Sequence, residues 1–349
     1  MSTDRGAGPP SLSARSGGPL LAWFDREKRD LPWRQTRDPY AIWVSEIMLQ
    51  QTQVSTVIPF WQRWMDRFPT VGALASADEQ DVLSLWQGLG YYRRCRLLLK
   101  GARWVAENGM PETAAAWSHV PGIGRYSSGA IASIAFDEPV PVVDGNVERV
   151  YARLAGDATE GAELKESAWK WAGKNLYKKR PGDWNQALME LGATVCKPVN
   201  PDCRKCPLMN QCVAFQSWRV NDLPTKPPTT KTVRLRHVVW VPINDGLFGV
   251  RQIPPGQWWE GMWEFPRVEA EGDAEPPSLR SIVGAGWPES VGIVNHSVTH
   301  HRIGIEVSFV RCDHRSDGLR WLSREELLSI PMPAPQRKIL KLVLTQLGI

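Results

Sequence analysis

The chain has 349 residues, which is enough for two domains with sizeable cores. Its formal net charge of +5 is modest, so it permits a nucleic-acid partner without establishing one. No apolar run has membrane-spanning length and no signal-peptide pattern is visible. We therefore expect a soluble intracellular protein, in the cytoplasm or nucleoid, that does not bind membranes.

The first half of the chain has the composition of a helical domain behind a disordered start. Residues 1–18 are rich in Gly, Ser, Pro and Arg and are predicted to be disordered. From residue 19 to residue 216, apolar residues recur at three- and four-residue steps, which predicts a mainly α-helical domain. The predicted helices cover residues 41–57, 78–87, 92–107, 127–136, 163–177 and 184–195.

The pattern changes after a proline-rich stretch. Residues 217–231, with Pro224, Pro227 and Pro228, are predicted to be an interdomain linker. Beyond them, strand-like alternation covers residues 235–241, 291–295 and 303–310, and helical patterns cover residues 323–328 and 335–347. This predicts a smaller α+β domain over residues 232–349.

Four of the six cysteines fall in one short window, Cys196-x6-Cys203-x2-Cys206-x5-Cys212. Four thiolates at this spacing can enclose an iron–sulfur cluster, and a structural zinc ion also takes four thiolates. Two disulfides would use the same four residues, but nothing in the sequence suggests export, so this is the weakest interpretation. The spacing alone leaves zinc and iron–sulfur open.

A Gly-x-Gly turn, with Gly122 and Gly124, lies between two predicted helices. Such a turn at the start of a helix presents backbone N–H groups that suit a phosphate oxygen, although an ordinary helix–helix connection is the alternative. A second glycine-rich turn, Gly88-Leu-Gly-Tyr-Tyr-Arg-Arg94, adds aromatic and basic side chains. An acidic loop begins at Asp144. Together these features favour a DNA-binding surface.

These motifs resemble the helix–hairpin–helix DNA glycosylases of the endonuclease III superfamily. Residues 31–34, 43–53, 143–147 and 185–192 are more narrowly similar to the adenine DNA glycosylases of the MutY type. The resemblance implies a mainly α helix–hairpin–helix region with a [4Fe–4S] loop over residues 196–212, followed by a Nudix-like α+β domain. It further implies that the substrate is double-stranded DNA with adenine opposite 8-oxoguanine or guanine. We expect a monomer, with contacts to other repair proteins through the linker.

Two carboxylates can divide the chemistry of adenine release. The departing base needs a proton on a ring nitrogen, and the cationic sugar carbon needs a nearby negative charge. Glu46 lies in an apolar predicted helix, where desolvation raises a carboxyl pKa and favours proton donation. Asp144 lies beside Gly145 on a loop that can approach a substrate backbone, so it is assigned to the sugar cation, through charge or a transient covalent adduct. A surface or capping role is the alternative for each.

The residue at position 126 distinguishes glycosylases that only remove a base from glycosylases that also cut the DNA strand. Glycosylases that also cut the strand use a lysine amine to form a Schiff base with the sugar. By resemblance that lysine would stand at Tyr126, and the chain has no lysine from Gly101 through Leu164. We therefore predict base removal with little or no lyase activity.

The resemblance also assigns residues to substrate contacts. Gln186 and Arg34 would contact a flipped-out adenine, and Trp33 would line its pocket. Asn146 would position the sugar and Asp144. The residues inserted beside the opposing base would be Gln51 and Tyr91.

In the second domain, MutY-type enzymes recognise 8-oxoguanine through a loop that usually reads Phe-Ser-His. The matching residues are Val298, Thr299 and His300, so the threonine keeps a hydroxyl while the valine lacks an aromatic ring. The residues after Arg267 do not form the acidic helix of a Nudix hydrolase, so pyrophosphate hydrolysis is not expected.

Two other functions compete with adenine removal. An endonuclease III-type enzyme for oxidised pyrimidines would share the fold, but Tyr126 and the second domain argue against it. A catalytically silent DNA-binding protein with a redox-sensing cluster is disfavoured by the presence of both Glu46 and Asp144.

Overall fold

Two compact units make up the chain in the computed structural model, which describes residues 18–225, 231–270, 277–283 and 286–349. Of the predicted disordered segment, residues 1–18, Gly18 instead begins a helix, and the rest, residues 1–17, lies outside the described residues. So do residues 226–230 of the predicted linker and residues 271–276 of the run that follows Arg267. None of the helices in the described ranges is both long and apolar enough to cross a membrane.

Residues 18–225 are helical, as predicted. Short 3-10 helices cover Pro32–Arg34, Cys203–Lys205 and Met209–Gln211. The α-helices are α1 (Gly18–Glu27), α2 (Pro39–Leu49), α3 (Val54–Arg67), α4 (Val71–Ala75), α5 (Glu79–Trp86), α6 (Tyr92–Asn108), α7 (Ala114–Trp117), α8 (Arg125–Phe136), α9 (Gly145–Ala155), α10 (Gly161–Lys174), α11 (Pro181–Thr194) and α12 (Val213–Gln216).

The first unit comprises residues 18–75 and 100–225 and is built around buried α2. Apolar residues surround this helix, so α3 and α8 can both pack against it. Small residues allow the close approach of neighbouring helices to α8. A Cβ at Gly182 of α11 would lie 2.4 Å from the carbonyl oxygen of Ser133. Asp38 caps the start of α2 by accepting a hydrogen bond from the Tyr40 amide.

The single helix predicted over residues 41–57 is wrong. Helix α2 ends at Leu49 and α3 begins at Val54, and between them Gln51 adopts a φ of 57°. That left-handed conformation interrupts a helix, and the apolar periodicity on both sides concealed the break. The helices predicted at residues 78–87, 92–107, 127–136, 163–177 and 184–195 are confirmed with shifts of up to three residues at their ends.

The second unit contains a seven-stranded sheet with the main order β3-β2-β1-β6-β5, in which β4 also pairs with β1 and β7 with β2. The central β1 and β6 are parallel, with Val239 opposite Val307, and the other pairs are antiparallel. The strands are β1 (Val233–Asn244), β2 (Leu247–Gln252), β3 (Trp263–Glu264), β4 (Arg267–Glu269), β5 (Pro288–Val298), β6 (His301–Arg311) and β7 (Arg320–Leu322).

Helices α13 (Pro277–Val283), α14 (Arg324–Ser329) and α15 (Ala334–Leu347) accompany the sheet. Buried Ile339, Leu340 and Val343 of α15 share one core cluster with inward-facing residues of β1 and β6. The predicted α+β class is confirmed, and so are the three predicted strands, which extend to β1, β5 and β6. Strands β2, β3, β4 and β7 were not predicted, because most are two or three residues long.

The second unit also includes residues 76–99, which hold α5 and the first part of α6. The predicted domains over residues 19–216 and 232–349 divide the chain only at the linker. The compact units therefore differ from them in this one segment. Residues 76–99 include the turn that carries Tyr91.

Candidate active site

A cavity of about 1040 Å³ opens in the first unit between the 3-10 helix at residues 32–34 and helices α2, α8, α9, α10 and α11. Most of the residues predicted to act in catalysis or base binding line it. They are Trp33, Arg34, Glu46, Gln51, Gly124, Tyr126, Asp144, Asn146 and Gln186. The fold thus brings side chains from five separated stretches of sequence to one cavity.

Glu46 is a buried acid on α2, with 6% of its surface exposed. Burial raises the pKa of Glu46 to about 7, although a hydrogen bond from Tyr126 acts to lower it. Asp144 adds negative charge that raises the pKa of Glu46, and Arg34 opposes that effect. Glu46 is therefore protonated in a large fraction of molecules near neutral pH, as a general acid requires.

Tyr126, on the first turn of α8, donates a hydrogen bond of 2.8 Å from its hydroxyl to Oε2 of Glu46. Burial raises the pKa of Tyr126 well above its usual value, and the neighbouring charges of Glu46 and Asp144 act in the same direction. Tyr126 consequently remains a neutral donor. It cannot supply an amine nucleophile.

Asp144 caps the N-terminus of α9. Its Oδ1 accepts hydrogen bonds from the amides of Asn146 at 2.9 Å and Val147 at 2.8 Å, and its Oδ2 accepts from Nδ2 of Asn146 at 2.7 Å. Burial raises the pKa of Asp144, while these hydrogen bonds and the charge of Arg149 act to lower it. Capping and catalysis, the two roles considered for Asp144, are compatible in one side chain.

Arg34 and Gln186, the two residues predicted to contact the base, are linked to a buried carboxylate that was not predicted to be a site residue. Arg34 donates to Oε1 of Gln186 at 3.1 Å and to Oε2 of Glu190 at 2.8 Å. Arg29 donates to both carboxylate oxygens of Glu190, from Nε to Oε1 at 2.7 Å and from Nη2 to Oε2 at 2.8 Å. Although burial acts to raise it, these arginines lower the pKa of Glu190 to about 2.

Glu190 also lines the cavity, so it adds a fixed negative charge beside Arg34 and Gln186. A signal for it was present in the sequence. Glu190 follows Gln186 by four residues on a predicted helix, which places the two side chains on one face. Met189 was also not predicted to be a site residue, although it lies on the same helix. Its Sδ is 3.3 Å from the Tyr126 hydroxyl.

Trp33 is buried and packs edge-on against Trp61 at 6.0 Å between ring centroids. Gln51 is exposed at the break between α2 and α3. In the predicted hairpin, Gly122 has a φ of 85°, and Gly124 precedes α8 without a side-chain cap. The backbone N–H groups of the first turn of α8 therefore have no side-chain cap, as phosphate binding would require.

The four clustered cysteines all have free thiols and lie half-buried in the loop after α11. Burial raises the pKa of the Cys206 thiol to about 12, and the thiols of Cys196, Cys203 and Cys212 contribute to that rise, so the four lie near one another. Among the described residues, no group of three or more His, Cys, Asp or Glu side chains has a geometry that could hold a metal ion. Four thiols in one loop match the number of ligands that a [4Fe–4S] cluster takes and also the number that a structural zinc ion takes.

Two arginines of α9 join this cysteine loop to the rest of the unit. Buried Arg153 donates to Sγ of Cys196 at 3.3 Å and to the carbonyl of Leu223 at 2.8 Å. Arg149 donates to Oδ1 of Asn146 and to the carbonyls of Gly192 and Cys196, each at 2.8 Å. The loop is therefore connected to the residue that positions Asp144.

The remaining predicted site residues, Tyr91, Thr299 and His300, belong to the second unit. Tyr91 is 48% exposed on a turn with a φ of 50°. Thr299, with a φ of 51°, and His300 form the exposed turn between β5 and β6, and the hydroxyl of Thr299 donates to the carbonyl of Val298 at 2.7 Å. The matched loop is thus a tight hairpin turn.

Comparisons with known proteins identify the family. A family model described as the HhH-GPD superfamily base excision DNA repair protein matches residues 44–174, and a NUDIX domain model matches residues 238–342. An adenine DNA glycosylase of Mus musculus is 35% identical over 394 residues, with 93% of this chain and 76% of the mouse protein covered. The chain belongs to the adenine DNA glycosylase family.

Other relatives agree with this placement. The adenine DNA glycosylase of Arabidopsis thaliana is 40% identical over 318 residues, which cover 78% of this chain but 50% of the plant protein. This member of the adenine DNA glycosylase family therefore spans about half the length of that relative. The resemblance noted in the sequence is confirmed, and the chain falls among the base-excision DNA repair glycosylases.

Solved structures support the fold. A thermostable thymine-DNA glycosylase matches with 25% identity and a TM-score of 0.51, covering 57% of this chain and 94% of that one. A trapped endonuclease III–DNA covalent intermediate matches at 22% identity and a TM-score of 0.50, covering 57% of this chain and 93% of that one. The latter similarity shows that the helical region has the endonuclease III fold.

Proposed function

We propose that this chain hydrolyses the N-glycosidic bond of adenine in double-stranded DNA where the adenine stands opposite 8-oxoguanine or guanine. The observation that carries the proposal is the pairing of two unlike carboxyls on one cavity. Glu46 is buried with a pKa of about 7, and Asp144 accepts three hydrogen bonds that favour its ionised form. Family membership supports adenine as the base that is removed.

Adenine must leave the DNA stack to reach Glu46, so the reaction begins with base flipping. Arg34 and Gln186 contact the flipped base, Glu190 holds both in place through Arg34, and Trp33 closes one wall of the pocket. A cavity of about 1040 Å³ has room for a nucleotide rather than only a base. The hairpin at Gly122 and Gly124 and the amides that open α8 bind the DNA backbone.

Protonated Glu46 then donates its proton to a ring nitrogen of adenine, which makes the base a better leaving group. Tyr126 keeps the Glu46 carboxyl in one orientation through its hydrogen bond. As the C–N bond breaks, positive charge develops at the sugar carbon, and Asp144 stabilises it by charge or through a transient covalent bond. Water then bonds to this carbon in place of the base, and its proton passes to the Glu46 carboxylate, which acts as general base and is protonated again. Asn146 holds Oδ2 of Asp144 in position.

Strand cleavage is not part of this proposal, because a neutral phenol replaces the lysine that a lyase needs. Tyr126→Lys is expected to create lyase activity, detected as borohydride-dependent trapping of the protein on DNA. Trapping that stays at the wild-type level in a folded variant would refute this assignment of residue 126.

We further propose that Cys196, Cys203, Cys206 and Cys212 hold a [4Fe–4S] cluster. The cluster would order the loop from Cys196 to Cys212 and so present its basic residues to phosphates. Iron and zinc analysis of the purified protein separates this proposal from the zinc alternative. Four iron atoms per chain are expected, and one zinc atom without iron would contradict it.

Recognition of the opposing base is assigned to Gln51, Tyr91 and the turn of Val298, Thr299 and His300. The threonine hydroxyl and the imidazole supply hydrogen-bonding groups there. Pyrophosphate hydrolysis is not proposed, since residues 267–269 form strand β4. The predicted domain bounds, monomeric state, linker partners and location in the cytoplasm or nucleoid stay predictions.

One gel assay tests the proposed function. A labelled duplex with adenine opposite 8-oxoguanine should yield a product that is cut only after alkali treatment. Absence of an alkali-labile product contradicts the proposal and favours a silent DNA-binding protein. Cleavage without alkali favours an endonuclease III-type lyase.

A further inference from the structure

The turn that carries Tyr91 is built rigidly. The carbonyl of Gly90 accepts hydrogen bonds from Nε1 of Trp86 at 3.0 Å and from Arg94 at 3.3 Å. The Arg94 guanidinium also lies over the Tyr91 ring, at 5.2 Å from its centroid. Glycines with φ values of 102° and 78° at residues 88 and 90 permit the tight path. Tyr91 is therefore presented on a preformed support.

This support is attached to the C-terminal part of the second unit through Gln87, one residue before the turn. Oε1 of Gln87 accepts a hydrogen bond from the amide of Met332 at 3.2 Å and one from Arg337 at 3.3 Å. Arg337 is itself fixed, because it donates to the carbonyls of Leu327 and Ile330 at 2.6 Å. The amide oxygen of Gln87 thus joins the Tyr91 turn to the start of α15.

Two further residues of the same segment make equivalent contacts. Gln80 accepts a hydrogen bond from Nε1 of Trp263 at 2.9 Å and donates one to the carbonyl of Gly261 at 3.2 Å. Arg96 forms ion pairs of 3.1 Å with both Glu79 and Glu260. A Cβ at Gly261 would lie 2.8 Å from the Arg96 guanidinium, so the surfaces meet closely at this point.

We propose that Gln80, Gln87 and Arg96 are positioning residues that hold the Tyr91 turn on the C-terminal part of the second unit. Tyr91 and the Thr299–His300 turn would then act as one rigid reader of the base opposite adenine. The inference rests on the proposed function, in which both elements read that base, and it deepens its specificity. It follows that the preference for 8-oxoguanine depends on contacts within the second unit, whereas the proposed catalytic carboxyls belong to the first.

The two decisive variants differ in whether residue 87 keeps a side-chain oxygen. Gln87→Ala removes the acceptor, whereas Gln87→Glu keeps an oxygen for Met332 and Arg337. Exposed Gln346 on α15 provides a matched control as Gln346→Ala. Two quantities are measured: the ratio of single-turnover excision rates opposite 8-oxoguanine and opposite guanine, and amide hydrogen exchange of residues 88–91 without DNA.

Gln87→Ala should lower the preference for 8-oxoguanine about three- to tenfold and speed exchange in the turn, while Gln87→Glu and Gln346→Ala stay near wild type. A preference and an exchange rate unchanged in folded Gln87→Ala would overturn the proposal. Equal losses of preference in Gln87→Ala and Gln87→Glu would also overturn the proposal. They would show that the effect does not depend on the oxygen that Gln87→Glu retains.

A second cycle tests the other contact. Gln80→Ala and Trp263→Phe each remove one hydrogen-bonding partner, so the double variant should lose no more preference than the larger single loss. If the double variant instead lost preference by the product of the two single losses, Gln80 and Trp263 would act independently, and a shared role would be contradicted. A wild-type chain that excises adenine equally fast opposite 8-oxoguanine and opposite guanine would instead contradict the proposed assignment of Tyr91 and the Thr299–His300 turn to reading that base. Amide exchange alone would then report whether Gln87 holds the turn.

Discussion

The hydroxyl of Tyr126 donates to Glu46 across 2.8 Å, and Glu46 is the acid whose protonation the proposed reaction requires. This hydrogen bond favours the ionised carboxylate, so it partly opposes the effect of burial on the pKa of Glu46. The residue that is proposed to exclude lyase chemistry therefore also lowers the pKa of the proposed acid. Both proposed effects depend on one side chain.

Tyr126→Phe should raise the pKa of Glu46 further, because the hydrogen bond to its charged form is lost. The alkaline limb of the single-turnover rate, which falls as Glu46 loses its proton near pH 7, should move to higher pH. Tyr177→Phe, whose ring packs on Trp184 away from the cavity, is the control. An unmoved limb would show that the titrating group is not Glu46.

Glu46→Gln should stabilise the protein above neutral pH. The pKa of Glu46 is about 7 in the folded chain and near 4.5 when unfolded, so folding favours its protonated form. The folded state accordingly loses stability as pH rises from about 4.5 through 7, by about 3 kcal/mol at most. Urea unfolding at pH 5 and pH 8 should show this difference in the wild type and not in the variant. If the free energy of unfolding changed equally with pH in the wild type and in Glu46→Gln, the buried position of the acid would be contradicted.

Asp144→Asn separates chemistry from capping. The asparagine oxygen can still accept from the amides of Asn146 and Val147, so the helix cap survives, but the contact with Nδ2 of Asn146 is lost. We expect about 1 kcal/mol of lost stability and a single-turnover rate lower by about two to three orders of magnitude. A rate reduced only in proportion to the unfolded fraction would leave Asp144 as a cap alone.

Gly192→Ala should distort the site from the opposite helix. A Cβ at Gly192 would lie 2.6 Å from Cβ of Asn146 and 3.0 Å from its carbonyl oxygen, so α9 and α11 must separate. The expected cost is about 1–3 kcal/mol in unfolding free energy, with slower excision. Gly173→Ala in α10, where the nearest atom would be 3.7 Å away, should be neutral or stabilising. Similar behaviour of the two variants would refute the close approach.

The basic residues of the cysteine loop, Lys197, Arg204 and Lys205, are exposed. Replacing all three with alanine should reduce the slope of log affinity against log salt by about 2–3, because each phosphate contact contributes about 0.9. Fluorescence anisotropy with undamaged duplex measures this slope. If it is the same as in the wild type, these charges form only a solvated surface.

The sequence predicted most of the helical region, because its apolar periodicity is strong and its site residues lie within recognisable motifs. Glu46 was interpretable as a buried acid, since apolar residues surround it on every side of α2. The break at Gln51 was not predictable, because only its backbone conformation distinguishes it from a continuing helix. The pairing of Glu190 with Arg29 joins residues 161 positions apart, and no local pattern encodes such a pair.

The placement of residues 76–99 shows the same limit. Their helical periodicity predicts α5 and α6 correctly, yet the partners of Gln80 and Gln87 lie more than 180 positions further along the chain. Local spacing determines which side chains share a face. It does not determine which distant surface that face contacts.

Arg149 links the backbone of Cys196 to Asn146, the residue that holds Oδ2 of Asp144. Its guanidinium has three close acceptors, one of them the carbonyl of Cys196 and another the amide oxygen of Asn146. If the backbone at Cys196 moves, the arginine loses an anchor and Asn146 loses a restraint on its orientation. Oxidative damage confined to the thiols would then slow bond breakage as well as weaken attachment to DNA.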